Sequence, residues 1–337
     1  MNYSNLNMKN IHLIVSIAII TLLQFSCGMR STTLMVEHPG DIHLPSDLDT
    51  LIIIDRTVKS KENGKKVGNI LEAIITSEPI GGDTRGKNAL FERLVMDLKM
   101  NERIDLATYE IIRLENSDAF NSPKAIPAEV MDSICKLYGA DGAISLDLFD
   151  SDNIAPGLNP NSIDPETVIN TRWKLYYAEG QEIVDSYEMS FKPAKSGGLV
   201  AVKGLPTNYK TIVNGGKESA ERYVKHITPY KYNEARSYYI GGSKLLRDGA
   251  SWIKLTDYDQ AKDVFHRIVD TGVREKEVRK AAFNLALMYE IEGDYDTAIR
   301  YAEQSAQAGD SHAGRYLRIL KTIQKEMPLI ELQKERS

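Results

Sequence analysis

The chain has 337 residues, a formal net charge of −5 at pH 7, and 26% charged against 42% hydrophobic side chains. This length exceeds that of one small domain and favours two. The sequence contains no basic block and no basic stripe interleaved with aromatic residues, so nucleic-acid binding is not expected.

The first 27 residues are predicted to direct the chain to the cell envelope. Lys9 precedes an apolar run over 11–25, which is shorter than the roughly 20 residues that span a bilayer and is typical of a signal-peptide core. The run ends at Ser26 and Cys27. This pattern resembles a Bacteroidetes-type lipoprotein signal, which implies that Cys27 is acylated; an uncleaved anchor is the alternative. Residues 28–31 carry no acidic side chain of the kind associated with surface display, so the resemblance implies the periplasmic face of the outer membrane.

Between the signal and residue 240, runs with the apolar pattern of strands alternate with runs that have the pattern of helices. Residues 28–40 are interpreted as a polar tether, and the continuous apolar run 51–54 predicts a central strand covered on both faces. Further elements follow in the order helix, strand, helix, strand, β-hairpin, helix and strand, at 87–100, 109–114, 127–138, 142–148, 171–191, about 217–225 and 228–239. This order predicts an α/β domain with a mixed sheet and flanking helices. It resembles the α/β domain of curli-export lipoproteins, of lipoprotein activators of peptidoglycan synthases and of the amino end of TolB.

The segment 81–88 has the G-x4-G-K spacing of a phosphate-binding loop. Its last position is Asn88, where a Ser or Thr hydroxyl would reach Mg²⁺, and the strand ending in Asp55 lies before the segment rather than after it. We therefore expect a flexible glycine turn and no bound nucleotide.

Other candidate chemistry is weak. Asp147, Asp150 and Asp152 are close in sequence but lack the glycine and the bidentate glutamate of a calcium loop. The histidines have no metal-ligand spacing, and Cys135 lies in an apolar helical pattern, which predicts a small buried core residue. No metal, no cofactor and no enzyme activity is predicted.

The most informative stretch is a pair of near-copies, 255–261 and 292–298, each containing Asp-Tyr-Asp before an alanine. The two copies share the same helical context, which resembles the tetratricopeptide repeat and implies two all-α helical hairpins over about 242–312. The residues that the resemblance assigns to repeat packing are Gly249, Trp252, Ala261, Phe265, Ala286, Tyr289, Ala298 and Ala302.

The resemblance also assigns a candidate partner groove to the first helix of each hairpin. Its positions are Leu246, Ile253, Phe283, Leu287 and Glu290. Two repeats are fewer than the about three that a free-standing array needs. A helix at about 311–325 is therefore expected to cap the second repeat, and deleting 311–337 is expected to lower the melting temperature. Because an open apolar groove favours association, much of this face is expected to be covered internally.

Taken together, the expected organisation is a signal peptide (1–26), a tether (27–40), an α/β domain (41–240), two repeats with a capping helix (242–325) and a tail (326–337). The layout resembles an uncharacterised Bacteroidetes lipoprotein family. It implies a membrane-anchored, non-catalytic protein-binding or assembly adaptor with an unknown protein partner. The alternatives are an oligomeric structural or export-complex component and, less favoured, a cell-envelope enzyme.

Overall fold

The computed structural model describes residues 28–57, 82–114, 123–154, 166–193, 209–272 and 274–336. The predicted signal segment and Cys27 lie outside these ranges. The chain divides into two compact units. The sheet unit comprises Pro39–Tyr230 and Ile330–Ser337, and the hairpin unit comprises Met1–His38 and Lys231–Leu329. The fold class, a mixed sheet with flanking helices plus helical hairpins, is confirmed.

The described elements, in chain order and with labels used below, are β1 (Met29–His38), β2 (Thr50–Asp55), α1 (Gly82–Lys99), β3 (Asp105–Arg113), α2 (Ala128–Tyr138), β4 (Gly142–Ile154), β5 (Glu166–Tyr177), β6 (Glu182–Phe191), α3 (Tyr209–Ile227), β7 (Tyr230–Tyr239), α4 (Lys244–Lys254), α5 (Tyr258–Thr271), α6 (Glu275–Glu292), α7 (Tyr295–Gln307) and α8 (Ala313–Lys334). No helix within the described ranges is long and apolar enough to cross a membrane.

The sheet unit is built on a five-stranded mixed sheet with the order β3-β2-β4-β5-β6. Strand β2 runs parallel to β3 and β4, whereas β4, β5 and β6 pair in antiparallel fashion. The apolar residues of β2 are fully buried, as a strand covered on both faces requires. Strand β2 is therefore interior, but β4 and not β2 is the middle strand.

Helices cover both faces of this sheet. Helices α1 and α3 contribute Leu90, Leu94 and Tyr223 to the larger core on one face. Helix α2 contributes Met131 and Cys135 to a smaller core on the other face. Cys135 is a buried free thiol, as predicted, and burial raises its pKa to about 11, so it is not a ready nucleophile.

The prediction of a glycine turn at 81–88 is wrong, because helix α1 already begins at Gly82. A close helix crossing explains Gly86. A Cβ placed on Gly216 of α3 would lie 2.1 Å from the carbonyl oxygen of Gly86 in α1. Only glycine allows the two backbones this approach.

The hairpin unit corrects two further predictions. Residues 29–38 form strand β1 and not a tether, and β1 pairs with β7 in a separate two-stranded sheet. The carbonyl of Gly28 accepts a hydrogen bond from the Ile240 amide at 2.9 Å, which joins the start of β1 to the end of β7. Strand β7 therefore belongs almost entirely to the hairpin unit and not to the mixed sheet.

Besides α1, two helices are longer than the sequence pattern indicates. Helix α3 begins at Tyr209, and α8 continues to Lys334 through the segment expected to be a tail. Within the sheet unit, the end of α8 is held by the side-chain amide of Gln333, which bonds to the backbone of Gly40 and Ile42 at 2.8–2.9 Å. These contacts are long-range, so no local pattern predicts them.

Candidate functional site

The candidate site is the pair of helical hairpins α4–α5 and α6–α7. The second helix of each hairpin begins at an aspartate of the repeated Asp-Tyr-Asp. Asp257 accepts a hydrogen bond from the Gln260 amide, and Asp294 accepts one from the Thr297 amide. These side-chain caps satisfy amides that the first helical turn leaves unpaired.

The residues assigned to repeat packing lie in or against the core of the hairpin unit. A Cβ on Gly249 would lie 2.6 Å from the ring of Phe265, so glycine permits the close approach of α4 and α5. Trp252 and Tyr289 are half-buried at the edge of this core, and the hydroxyl of Tyr289 lies 2.9 Å from Nε2 of His266. The other members, all fully buried, are Phe265, Ala261, Ala286, Ala298 and Ala302.

The candidate groove positions form a face of α4 and α6 that is closed within the hairpin unit, and we call this set of residues the groove face. Its members are at most 4% exposed: Leu246, Ile253, Phe283, Leu287 and Glu290. They are therefore not an open partner surface in this structure, because strand β7 and helix α8 contribute side chains to the same core. Tyr239 of β7 meets Phe283 edge-on at 5.3 Å, and Tyr316 of α8 lies 5.2 Å from the same ring.

The contact between β7 and α6 is polar as well as apolar. Asn284, fully buried in α6, accepts a hydrogen bond from the Tyr239 amide at 2.7 Å and donates one to the Tyr239 carbonyl at 2.9 Å. One turn earlier, Lys280 donates to the carbonyl of Gly241 at 2.6 Å. Side chains of α6 thus bind the backbone of an extended segment, much as a neighbouring strand would.

A buried ion pair lies at the other end of this contact. Nε of Arg236 in β7 donates to both carboxylate oxygens of Glu290, at 2.8 and 3.0 Å, and the hydroxyl of Tyr316 donates to Glu290 at 2.5 Å. Glu234 lies 2.7 Å from Nη1 of Arg236. Nη2 of Arg236 is buried without a hydrogen-bond partner in the described part of the chain.

Burial and neighbouring charges affect the pKa values of Glu290 and Arg236 in different ways. Burial raises the pKa of Glu290 above its usual value, and the charge of Arg236 with the Tyr316 hydroxyl only partly offsets this effect. Burial lowers the pKa of Arg236, but the charges of Glu290 and Glu234 outweigh it and hold the pKa above its usual value. The guanidinium therefore stays charged, and Glu290 is its main buried counter-ion.

A second charged cluster lies at the carboxyl end of β2. Lys87 of the G-x4-G-K segment pairs with Asp55 at 3.0 Å and donates to Thr57 at 2.6 Å, so a carboxylate neutralises the lysine that a phosphate loop would need. On β4, buried Asp147 pairs with Lys174 at 2.5 Å. Within the described ranges, no three metal-ligating side chains gather closely enough to hold a metal ion.

Two protein-family models match this chain. A domain of unknown function, DUF8603, matches residues 48–239, which is more than half of the chain. The chain belongs to the DUF8603 family. A second domain of unknown function, DUF6340, matches residues 247–325 and covers the hairpins with most of α8.

The DUF8603 match ends at Tyr239, so it includes β7, which lies in the hairpin unit. No curated protein matches the chain. Among solved structures, it is similar to a PelC dodecamer from Paraburkholderia phytofirmans at 10% identity and a TM-score of 0.26, covering 58% of this chain and 96% of that one. A TM-score this low supports no functional argument.

Sequence reasoning missed the polar residues that hold β7 in this DUF8603 protein. Asn284 lies inside an apolar helix pattern, and an amide at such a position was the available signal, since a buried amide needs partners. No sequence pattern indicates that Arg236 holds β7, because its partner Glu290 lies 54 positions away in the chain. Asp150 and Asp152 approach the Asn170 amide, each at 3.4 Å, and belong to strand β4, which extends beyond the strand predicted at 142–148.

Proposed function

We propose that this protein is a lipid-anchored, non-catalytic protein-binding or assembly adaptor of the cell envelope. The observation that carries the proposal is the binding of an extended segment by the hairpins: α6 bonds to the backbone of β7 through Asn284 and Lys280. Helical hairpins that hold an extended chain are a protein-binding arrangement. Anchoring through Cys27, in the periplasmic leaflet of the outer membrane, would keep this arrangement at the membrane.

The anchor is tested by metabolic labelling with a fatty acid. The wild type and Cys135→Ala should incorporate label and sediment with membranes, whereas Cys27→Ala should do neither. Label on Cys27→Ala, or unlabelled wild type, contradicts lipidation. Cys135 is the matched control because it is the second of the two cysteines in the chain and is buried.

The adaptor role is tested by photo-crosslinking in intact cells. A crosslinking residue at Leu255, which is 65% exposed between α4 and α5, should give a discrete product with a different protein. The control position is Leu137 of α2 in the sheet unit, which is 79% exposed. The same product from both positions, or none from Leu255, counts against a partner at the hairpins.

An oligomeric structural or export component is the second candidate, and the edges of the mixed sheet favour it. Among the described strands, β3 and β6 each pair on one side only. Unpaired edges can bind a strand of another copy, although charged residues such as Glu182 and Glu188 on β6 disfavour this. Light scattering on the purified chain tests the second candidate, because a monomeric mass excludes it. Crosslinks between two copies of the chain, in the photo-crosslinking experiment, support it.

A further inference from the structure

The groove face and the neighbouring Asn284 of α6 bind β7 through contacts of the kind that recognise a peptide. Asn284 pairs with both backbone groups of Tyr239, which is independent of the side chain at that position. The buried side chains of β7 alternate, with Arg236 and Tyr238 each 4% exposed and Ser237 between them exposed. Arg236 is paired with Glu290, which also accepts a hydrogen bond from Tyr316. Backbone pairing with alternate side-chain pockets is how proteins recognise an extended peptide.

The segment bound in this way is joined to the hairpins by a glycine pair. Gly242 has φ +156°, and Ile240 and Gly241 separate it from the end of β7, so the connection between β7 and α4 contains a backbone conformation that residues other than glycine rarely adopt. The ion pair is also incompletely satisfied, because Nη2 of Arg236 is buried without an acceptor in the described part of the chain. An unmade hydrogen bond of a buried charged group weakens the hold on β7.

We infer that the groove face is a peptide-binding site occupied by the chain's own β7, and that it accepts from another molecule an extended segment with arginine two residues before tyrosine. This inference rests on the proposed protein-binding function and names the chemistry of its partner. The occupying strand acts as a built-in competitor, so the apparent affinity for an outside segment falls with the fraction of time that β7 is bound.

The first test measures whether β7 leaves the site while the helices stay folded. Hydrogen exchange of the full-length wild type, followed by mass spectrometry, should show the amides of β7 exchanging at least tenfold faster than those of α6. Exchange of β7 and α6 together, at one rate set by global unfolding, would overturn the inference because β7 would then be fixed core.

The second test supplies the segment from outside. A fluorescent peptide with the sequence of residues 231–241 is titrated into full-length wild type and Arg236→Ala, followed by anisotropy. The variant keeps Asn284, Lys280, Glu290 and Tyr316 but lacks the competing arginine. It should bind the peptide at least tenfold more tightly than the wild type does.

Controls establish which contacts matter. A peptide with alanine in place of its arginine should bind Arg236→Ala at least tenfold more weakly, and Arg236→Ala/Asn284→Ala should lose binding. Equal binding by wild type and folded Arg236→Ala, or indifference to the arginine of the peptide, overturns the inference. If Arg236→Ala does not fold by circular dichroism, Arg236→Lys replaces it under the same criteria, since lysine keeps the charge but not the planar fork.

These outcomes are separate from those that decide the proposed function. A chain that binds the peptide but gives no crosslink from Leu255 retains the site and loses the adaptor role. A chain that crosslinks to an envelope protein but ignores the peptide retains the adaptor role and loses this site.

Discussion

Glu290 links elements of the hairpin unit through buried polar contacts. It accepts hydrogen bonds from Arg236 and Tyr316, so three elements, β7, α6 and α8, meet at one carboxylate. Removing one partner of a buried ion pair leaves the other charge without compensation, which typically costs about 3–5 kcal/mol.

We therefore expect Glu290→Gln to lower the free energy of unfolding of the hairpin unit by about 3 kcal/mol, because Arg236 stays charged and buried and keeps only the partly exposed Glu234 as a counter-ion. Urea denaturation followed by Trp252 fluorescence in a Trp173→Phe background measures the change. Glu303→Gln is the control, since Glu303 pairs with Lys321 at the surface and should matter by less than about 1 kcal/mol. Equal effects of the two substitutions would contradict the role of Glu290.

His226 makes the stability of the sheet unit depend on pH. Burial lowers its pKa, but hydrogen bonding and charge from Asp185 and Asp41 outweigh burial and raise the pKa above the usual value. Nδ1 lies 2.8 Å from Asp41, and Nε2 lies 3.3 Å from Asp185 as an ion pair without good hydrogen-bond alignment. The ring also stacks on Tyr187 at 3.9 Å.

A histidine with a raised folded pKa stabilises the native state fully below its unfolded pKa of about 6.5, and this stabilisation is lost as pH rises through the folded pKa. The wild-type sheet unit should therefore lose stability above about pH 6.5, and His226→Gln should lose less over the same interval. Urea denaturation followed by Trp173 fluorescence in a Trp252→Phe background measures both. His43→Gln, at an exposed histidine of the same unit, should behave as wild type.

At the scale of elements, the crossing of α1 and α3 explains the glycine at position 86 of the G-x4-G-K segment. The glycines are needed for helix contact: Gly86 faces Gly216, and a Cβ on Gly86 would also lie 2.6 Å from the ring of Phe149. An added methyl group must push backbone rather than a flexible side chain, and overpacking of this kind costs about 1–3 kcal/mol.

Gly216→Ala should accordingly destabilise the sheet unit by about 1–3 kcal/mol. The comparison is Gly314→Ala in α8, where a Cβ would meet nothing within 4 Å and alanine should stabilise the helix by about 0.5–1 kcal/mol. Thermal unfolding of both variants shows whether each substitution lowers or raises the melting temperature. A neutral or stabilising Gly216→Ala would show that the helices do not need this approach.

Helix α8 should stabilise the hairpin unit through its buried stripe. Leu320 is fully buried, whereas Leu329 in the same helix is 52% exposed. Leu320→Ala should cost about 2–5 kcal/mol because it leaves a cavity, while Leu329→Ala should cost much less. Chemical denaturation of the two variants compares one substitution in two environments, and a similar cost at both positions would contradict packing of α8 on the hairpins.

Short sequence patterns predict the elements that can be recognised from residues close together in the chain. The Asp-Tyr-Asp copies and the small residues of the hairpins recur at fixed spacing, and the apolar run of β2 has strand length, so the sequence predicts these elements. Strand β1 was not found, because its residues are mostly polar and its partner β7 lies about 200 positions away in the chain. Such strands form through their context and not through intrinsic preference.

At the scale of the molecule, the change from tether to strand alters what an anchor at Cys27 implies. Gly28 is the residue next to Cys27 in the sequence, and its carbonyl bonds to the Ile240 amide. A lipid on Cys27 would then hold the hairpin unit directly against the headgroups, without a flexible spacer.

Trypsin distinguishes the two arrangements. In the lipidated protein on vesicles, the Arg30–Ser31 bond should resist cleavage, because Arg30 lies within the β1–β7 pairing and a protease requires an extended segment free of its sheet. A variant with ten Gly and Ser residues and one arginine inserted between Cys27 and Gly28 provides a spacer of about 20 Å and should be cut there, releasing the chain. Mass spectrometry identifies the cleaved bonds. Rapid cleavage after Arg30 in the protein without the insertion would show that 28–38 behaves as a tether. Resistance in both proteins would indicate that the membrane shields the site, and digestion in detergent separates that shielding from protection by the strand.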